Sequence, residues 1–170
     1  MAGAGPSPHF TFCPHCAVRL EMRDIDDRRR PVCPACGFIQ FLNPAVGVAA
    51  VVRDTEARVL LARKRSGLWH FPSGYVEWDE HVRDALAREL REELSLEIEV
   101  GGIVAVHSNF HNRASQTVGI WFNATIIGGD MRLDERELVA AQYFALDSAP
   151  PLGYPTDTLV FDQLRRSPSA

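Results

Sequence analysis

Apolar side chains recur at every fourth position between residues 82 and 94, and this spacing predicts an amphipathic helix. The apolar stripe consists of Val82, Leu86, Leu90 and Leu94. Glu89, Glu92 and Glu93 stand at i, i+3 and i+4, so at about 100° per residue they share an arc beside the leucines. Carboxylates on one helix face repel one another, so we expect a cation among them. Mg²⁺, which prefers oxygen ligands, is the natural choice.

Two apolar segments before this helix predict strands. Residues 45–52 (AVGVAAVV) are apolar on both faces, as in a central buried strand. Residues 59–63 (VLLAR) predict the next strand, and a hairpin is the simplest connection between the two. Trp69 and Phe71 are expected to anchor the core or a loop rather than to stack on a base.

The apolar alternation after the helix predicts further strands. LEIEV, GIVAVHSNF and QTVGIWFNATII each show the pattern, with breaks at Gly101-Gly102 and at HNRAS. Gly128-Gly129 is expected to end the last of these strands, and Tyr143-Phe144 indicates another.

A terminal helix is predicted from Thr156 or Asp157 onward. Its inward-facing residues are expected to be Leu159, Val160 and Leu164. Strands, an acidic helix, more strands and a final helix together indicate an α+β domain.

The two ends of the acidic helix carry unusual residues. The helix is expected to begin near Asp79, which is a good N-cap residue type, or near His81. Ser95 occupies the position after the last turn, where glycine would adopt the left-handed conformation more easily, at a cost of about 1 kcal/mol.

The four cysteines form two CxxC pairs, Cys13/Cys16 and Cys33/Cys36, separated by sixteen residues. This spacing is typical of a structural zinc site in which four thiolates surround the ion, and disulfides or an iron–sulfur centre are the alternatives. Residues 10–42 are therefore expected to be a zinc ribbon, with a β-hairpin between its two knuckles. Arg28, Arg29 and Arg30 are expected in a solvated turn of that hairpin.

Composition limits the possible classes of protein. The 170 residues suit one domain with a small appendage, and a formal net charge of -4 argues against a nucleic-acid partner. No apolar run reaches the ~18 residues of a membrane span, and residues 1–9, expected to be flexible, lack the features of a signal peptide. We therefore expect a cytoplasmic protein that does not associate with membranes.

The acidic helix and the loop before it resemble the Nudix box. That pattern runs from a Gly through five residues to a Glu, and through seven more to Arg-Glu-aliphatic-x-Glu-Glu-x-Gly-aliphatic. The matching residues are Gly74, Glu80, Arg88, Glu89, Leu90, Glu92, Glu93 and Leu96. Ser95 replaces the second Gly. A solvated acidic helix face is the alternative, but Gly74 and Glu80 upstream favour the box.

The resemblance implies a Nudix fold, a mixed sheet sandwiched between helices, over residues 43–170. It also implies Mg²⁺- or Mn²⁺-dependent hydrolysis of a pyrophosphate bond. Glu89, Glu92 and Glu93 would hold the metal, Arg88 would orient them, and Glu80 would support the loop or an outer metal. A further acid would act as a fourth ligand or general base: Glu137 has the matching place, with Asp134 and Glu135 as rivals.

Phosphate binding and substrate choice are less constrained. Gly74 is expected to let the backbone bend toward the helix start and a phosphate, and Arg63, Lys64 and Arg65 would either receive a phosphate or flank the sheet. The NADH-specific branch carries a Ser-Gln-Pro-Trp-Pro-Phe-Pro-type run that this chain lacks. The resemblance therefore favours FAD or ADP-ribose, with release of AMP, over NADH.

Two further expectations concern partners. A homodimer is possible by resemblance. The alternative to an enzyme is a non-catalytic nucleotide-sensing module whose ribbon contacts nucleic acid or a protein, and the intact Glu89, Glu92 and Glu93 argue against it.

Overall fold

The computed structural model describes residues 10–112 and 115–166. These residues form two compact units: the first comprises the described residues up to Pro44 together with Ser115, and the second comprises the described residues from Ala45 onward without Ser115. Residues 1–9, expected to be flexible, lie outside the described residues. No helix in the described ranges is long and apolar enough to cross a membrane.

The first unit contains the predicted hairpin between the two cysteine pairs. Strand β1 (Glu21–Ile25) pairs antiparallel with β2 (Arg28–Val32). The turn consists of Asp26 and Asp27, both with positive φ (49° and 60°), which matches the twist of a two-residue hairpin. The expectation that Arg28, Arg29 and Arg30 form the turn is therefore wrong: the aspartates tolerate the left-handed conformation, and the arginines begin β2.

The second unit holds seven strands and two helices among its described residues. In chain order they are β3 (Ala45–Val52), β4 (Val59–Lys64), β5 (Trp69–His70), β6 (Ser73–Tyr75), α1 (Val82–Leu94), β7 (Glu97–Asn109), β8 (Thr117–Gly128), β9 (Leu138–Phe144) and α2 (Pro155–Arg166). The predicted strands and both predicted helices are present. As expected, β8 ends at Gly128.

The strands of this unit form two sheets. One is a mixed sheet of order β6-β3-β8-β7, in which β3 runs parallel to β8 and antiparallel to β6. The other is an antiparallel sheet of order β5-β4-β9. The predicted hairpin between β3 and β4 is wrong, because both edges of β3 pair with other strands. A single bridge between Arg53 and Val59 is what remains of it.

Strand β3 separates two apolar cores, which explains why it is apolar on both faces. Val48, Ala50 and Val52 pack in the core that contains Leu86, Leu90 and Leu94 of α1. Ala49 and Val51 face the opposite way, into the core that contains Phe71, Trp121 and three residues of α2. A helix therefore covers each face of the mixed sheet, which confirms the predicted fold class.

Two details differ from the sequence expectation. Strand β7 runs through Gly101-Gly102, and the pairing shifts between Val100 and Ile103 as in a β-bulge instead of breaking. In α2, Leu159 is 53% exposed, while Phe161 joins Val160 and Leu164 inside. The helix begins at Pro155, and the buried positions 156, 157, 160, 161 and 164 form one stripe that leaves Leu159 outside.

The ends of α1 follow the sequence. His81 is the N-cap, and its imidazole accepts a hydrogen bond from the Arg83 N–H. Ser95 has φ 57°, and its N–H donates to the Arg91 carbonyl while the Leu96 N–H donates to Leu90. This is a Schellman-type end, so Ser95 does occupy the left-handed position that glycine fills more easily.

Candidate active site

Helix α1 places its acids at the border between the core and solvent. The leucine stripe is fully buried, which fixes the rotation of the helix about its axis. On the neighbouring arc Glu93 is 5% exposed, whereas the side chain of Glu92 is 59% exposed. The acidic face therefore runs from a buried carboxylate to a solvated one.

Arg88 links this face to the loop before the helix. Its guanidinium donates to both oxygens of Glu80, at 2.7 Å and 3.0 Å. It also donates to Glu89 and Glu92, each at 3.0 Å, and to the Tyr75 carbonyl at 3.1 Å. A planar five-donor group suits this arrangement, so Arg88 fixes three carboxylates relative to one another.

Glu80 supports the loop. Its Oε1 also accepts a hydrogen bond from the Glu77 N–H at 2.8 Å. The hydrogen bonds from Arg88 first, and that from Glu77 next, lower the pKa of Glu80 to about 2. With both oxygens engaged, Glu80 has the geometry of a loop support rather than of a ligand to an outer metal.

Gly74 is needed for a different reason from the expected one. It lies in β6, paired with Val48, and not at the helix start. A Cβ at this position would overlap the carboxylate of Glu89. Glycine therefore allows the Glu89 side chain to lie directly over the β6 backbone.

Glu93 is a buried acid without a hydrogen-bond donor on one oxygen, Oε2, among the described residues. Burial raises its pKa to about 7, and the charges of Glu89, Glu137 and Asp134 add to that effect while Lys64 opposes it. Burial likewise raises the pKa of Glu89. Such a group favours either a proton or a cation at this place, so the residues fit a bound divalent ion.

The segment before β9 brings a further acid to the site. The N–H groups of Arg132 and Asp134 donate to the carbonyls of Leu94 and Glu93, both at 2.9 Å. The charge of Glu137 acts on both Glu89 and Glu93 and adds to the effect of burial in raising the pKa of each.

The two rivals of Glu137 are engaged or exposed. Asp134 accepts hydrogen bonds from the Arg136 side chain, which lower the pKa of Asp134 to about 2. Glu135 is exposed. Glu137 is exposed as well, but its charge acts on both Glu89 and Glu93.

The three cations at the end of β4 have separate surroundings. The Arg63 guanidinium lies over the Trp69 ring at 5.4 Å, and Arg65 donates to the Glu135 carbonyl at 2.8 Å. The side chain of Lys64 forms no hydrogen bond or ion pair within the described part of the chain; its Nζ lies 5.7 Å from the centre of the Tyr154 ring, and its charge lowers the pKa of Glu93. Lys64 therefore combines a contact with an aromatic ring and an electrostatic effect on the buried Glu93.

The four cysteines of the first unit converge as the sequence predicts. Their sulfurs all lie within 4.8 Å of one another, with pairs at 3.4 Å, 3.5 Å and 3.6 Å. These distances exclude disulfides, in which sulfurs are about 2.05 Å apart, and they are close to the ~3.8 Å edge of a tetrahedron with Zn–S bonds of about 2.3 Å. Ala17 and Gly37 adopt positive φ at the two knuckles. The cluster can therefore bind a metal ion.

A buried acid that the sequence analysis did not single out lies on α2. Asp157 is 4% exposed and accepts hydrogen bonds from Trp121 Nε1 at 3.2 Å and from the Phe71 N–H at 3.3 Å. Burial raises its pKa to about 7. The signal in the sequence that could have predicted this buried acid is its position on the apolar stripe of the terminal helix.

Comparison with known proteins is consistent with this geometry. The family model described as NUDIX domain matches residues 43–164. An NAD-capped RNA hydrolase NudC of Pseudomonas aeruginosa is 35% identical to this chain over 150 residues. The match covers 85% of this chain but only 51% of that protein's length. An ADP-ribose pyrophosphatase of Methanocaldococcus jannaschii is 28% identical over 74% of this chain and 76% of its own.

A solved structure agrees over most of the chain. The crystal structure of a NUDIX hydrolase from Nitrosomonas europaea superimposes with a TM-score of 0.80, at 24% identity, over 92% of this chain and 91% of that one. At this identity the likeness concerns the fold. The family match over residues 43–164 shows that the chain belongs to the Nudix family.

Proposed function

We propose that the protein hydrolyses the pyrophosphate bond of a nucleoside diphosphate linked to another moiety, and releases AMP when the nucleoside is adenosine. The observation that carries this proposal is Glu93: a buried carboxylate, with one oxygen lacking a donor, beside Glu89 and Glu137. A divalent cation would offset two of the three negative charges. Membership of the family supports the same reaction.

Glu89, Glu92 and Glu93 would hold Mg²⁺ or Mn²⁺. When bound, such an ion neutralises phosphate charge and lowers the pKa of a water nucleophile. Arg88 holds Glu89 and Glu92 in position, and Glu80 fixes Arg88 in turn. Among the described residues the acids form a looser group than the cysteine sulfurs, and an incoming cation would draw their oxygens together.

Glu137 would accept the proton of the attacking water or complete the metal site. Its exposed position, next to a buried acid, suits either role. For the phosphate we choose Lys64 over Arg63 and Arg65, because the charge of Lys64 acts on Glu93, whereas Arg63 has a buried Nε and Arg65 donates to the Glu135 carbonyl. Gly74 would act through Glu89 rather than through a phosphate.

The similar proteins widen the set of substrates. One is named for ADP-ribose and another for NAD-capped RNA. ADP-ribose and FAD remain the first candidates, as the sequence indicates. The relative named for NAD-capped RNA speaks against our expectation that the protein has no nucleic-acid partner. RNA with a 5′-linked NAD therefore belongs in the test.

We also propose that residues 10–42 are a structural zinc ribbon, with zinc held by Cys13, Cys16, Cys33 and Cys36, and that 43–170 are the catalytic domain. The compact units separate at Pro44, close to this boundary. Four thiolates leave no open position on a tetrahedral ion, which suits a structural role.

The test is a product analysis with Mg²⁺ and a panel of FAD, ADP-ribose, NADH, NAD-capped RNA, diadenosine polyphosphates and nucleoside triphosphates. We expect AMP and a second phosphate-bearing product from at least one compound. Glu92→Gln and Glu93→Gln should lower turnover by orders of magnitude with the fold intact. Glu99→Gln, an exposed acid of β7, is the matched control. Binding without cleavage in the wild type would instead support a nucleotide sensor.

A further inference from the structure

A cluster of polar and aromatic side chains surrounds Tyr154, just before α2. The Lys64 Nζ lies 5.7 Å from the centre of the Tyr154 ring. The His111 ring centre is 5.8 Å from it, in a tilted arrangement, and the His70 ring centre is 6.1 Å from it, edge on. These groups come from four separate segments of the second unit, so the fold and not local sequence brings them together.

His70 provides a hydrogen-bond acceptor in this cluster. Its side chain is 0% exposed, and Nδ1 lies 2.6 Å from the Phe71 carbonyl oxygen. Since a carbonyl only accepts, Nδ1 carries the proton and Nε2 is the acceptor. Nε2 is buried and has no partner in the described ranges of the chain. Burial, together with the Lys64 charge, lowers the pKa of His70 to about 4, so the ring is neutral near pH 7.

Lys64 connects the cluster with the carboxylates. It pairs with Leu138, directly after Glu137, and the neighbouring Arg65 N–H donates to the Glu137 carbonyl. The Lys64 ammonium makes no ion pair with a described residue. It is therefore available to an anion that reaches both Tyr154 and the acidic site.

The chemistry of these groups specifies one kind of ligand. Lys64 suits a phosphate, Nε2 of His70 requires a donor such as a ribose hydroxyl or an amino group, and the Tyr154 and His111 rings offer faces to a flat base. A nucleoside 5′-phosphate carries an anion, donors and an aromatic base in one molecule.

We infer that Tyr154, His111, Lys64 and His70 form the subsite for the nucleoside 5′-phosphate half of the substrate. This rests on the proposed function, since it assigns the part of the substrate that leaves as AMP. It goes further in naming the residues that distinguish a nucleotide from any other pyrophosphate. Tyr154 and His111 stack on the base, and Lys64 holds the phosphate next to the acidic site.

The first experiment measures AMP binding by NMR titration in buffer without added Mg²⁺, so that it does not depend on turnover. Stacking on one aromatic ring contributes about 1–3 kcal/mol. Tyr154→Leu and His111→Ala should therefore each lower the affinity for AMP at least about 5-fold, which is the fold-change that corresponds to about 1 kcal/mol. Tyr154→Phe keeps the ring and should bind like the wild type. Ribose 5-phosphate, which lacks the base, should respond to Lys64→Met but not to Tyr154→Leu.

The second experiment measures KM and kcat on whichever panel compound is cleaved. Tyr154→Leu should raise KM more than it lowers kcat, because the ring does not touch the reacting phosphorus. Lys64→Met should have a larger effect than Arg65→Met. Circular dichroism of each variant monitors folding. If Tyr154→Leu does not fold, His111→Ala tests the subsite instead, because His111 is exposed.

The outcomes separate the two proposals. Hydrolysis with unchanged KM and AMP affinity in Tyr154→Leu and His111→Ala would overturn the subsite and leave the proposed function standing. AMP binding that depends on Tyr154 and His111, without hydrolysis of any compound, would support the subsite and overturn the enzyme. A larger loss in Arg65→Met than in Lys64→Met would overturn the role of Lys64.

Discussion

Asp157 should make the stability of the second unit depend on pH, and Asp157→Asn should remove that dependence. The folded-state pKa of about 7 lies above the ordinary value of 3.8. Between these values the folded protein keeps a proton that the unfolded chain has released. Rising pH therefore favours the unfolded state: the stabilising contribution is complete below about pH 4 and is lost as the pH rises through about 7.

The magnitude follows from that difference in pKa, from 3.8 to about 7. At about 1.4 kcal/mol per pH unit it corresponds to about 4 kcal/mol of unfolding free energy across the window. Asparagine has one acceptor oxygen where Asp157 uses two, so the variant should be less stable at low pH by about 1–3 kcal/mol. The difference between the wild type and the variant should then shrink, and can reverse, as the pH rises to 8.

His70 also contributes to the pH dependence of the unfolding free energy of the wild type, so that dependence does not report on Asp157 alone. Its pKa is lowered from 6.5 to about 4, so the unfolded chain binds a proton in that range that the folded chain does not. Its contribution therefore rises with pH and opposes that of Asp157. The wild type alone can appear insensitive to pH. The difference between the wild type and Asp157→Asn removes the His70 effect, because His70 is common to both.

The assay is urea denaturation of both proteins at intervals from pH 4.5 to 8, followed by circular dichroism. Asp162→Asn, a half-exposed acid on the same helix, is the matched control and should show a constant difference from the wild type. A constant difference for Asp157→Asn as well would refute the reasoning. It would mean that Asp157 is ionised throughout, stabilised by the two N–H groups alone.

Three other changes test different parts of the structure. Gly74→Ala should displace the Glu89 carboxylate and lower kcat by about 100-fold, with little effect on the affinity for AMP; steady-state kinetics and the NMR titration check both. Ser95→Gly should raise the unfolding free energy by up to about 1 kcal/mol, measured in urea, because Ser95 has φ 57°. Removal of metal by a chelator should unfold residues 10–42 and leave the amide protons of β3 protected, as hydrogen exchange would show.

The sequence predicts those features that depend on local periodicity and spacing. The leucine stripe places α1, and the CxxC pairs place the cysteine cluster. The two-sided apolar run of residues 45–52 identifies the central strand, since β3 has a core on each face. Membership of the Nudix family follows from the spacing between Gly74 and Leu96.

Features that depend on contacts between distant segments are not predictable in this way. Nothing in the run from Arg63 to Arg65 tells what the three cations contact, which is the Trp69 ring, the Tyr154 ring and the Glu135 carbonyl in turn. The position of β4 in a separate sheet depends on which strands occupy the edges of β3. Tyr154 and His111 are ordinary loop residues until the fold places their rings together.

The hydrogen bonds from Arg132 and Asp134 to the last turn of α1 have a consequence for motion. The carbonyls of Glu93 and Leu94 lie in the last turn of α1, where they would otherwise lack a backbone donor. Here they accept hydrogen bonds from the segment that carries Glu137 and hold that segment in place. Glu137 cannot move away unless that segment opens, and its opening frays the turn that holds Glu93. The two acids, far apart in the chain, therefore belong to one cooperative unit of local unfolding, and ligands that retain either should slow the exchange of both amide protons.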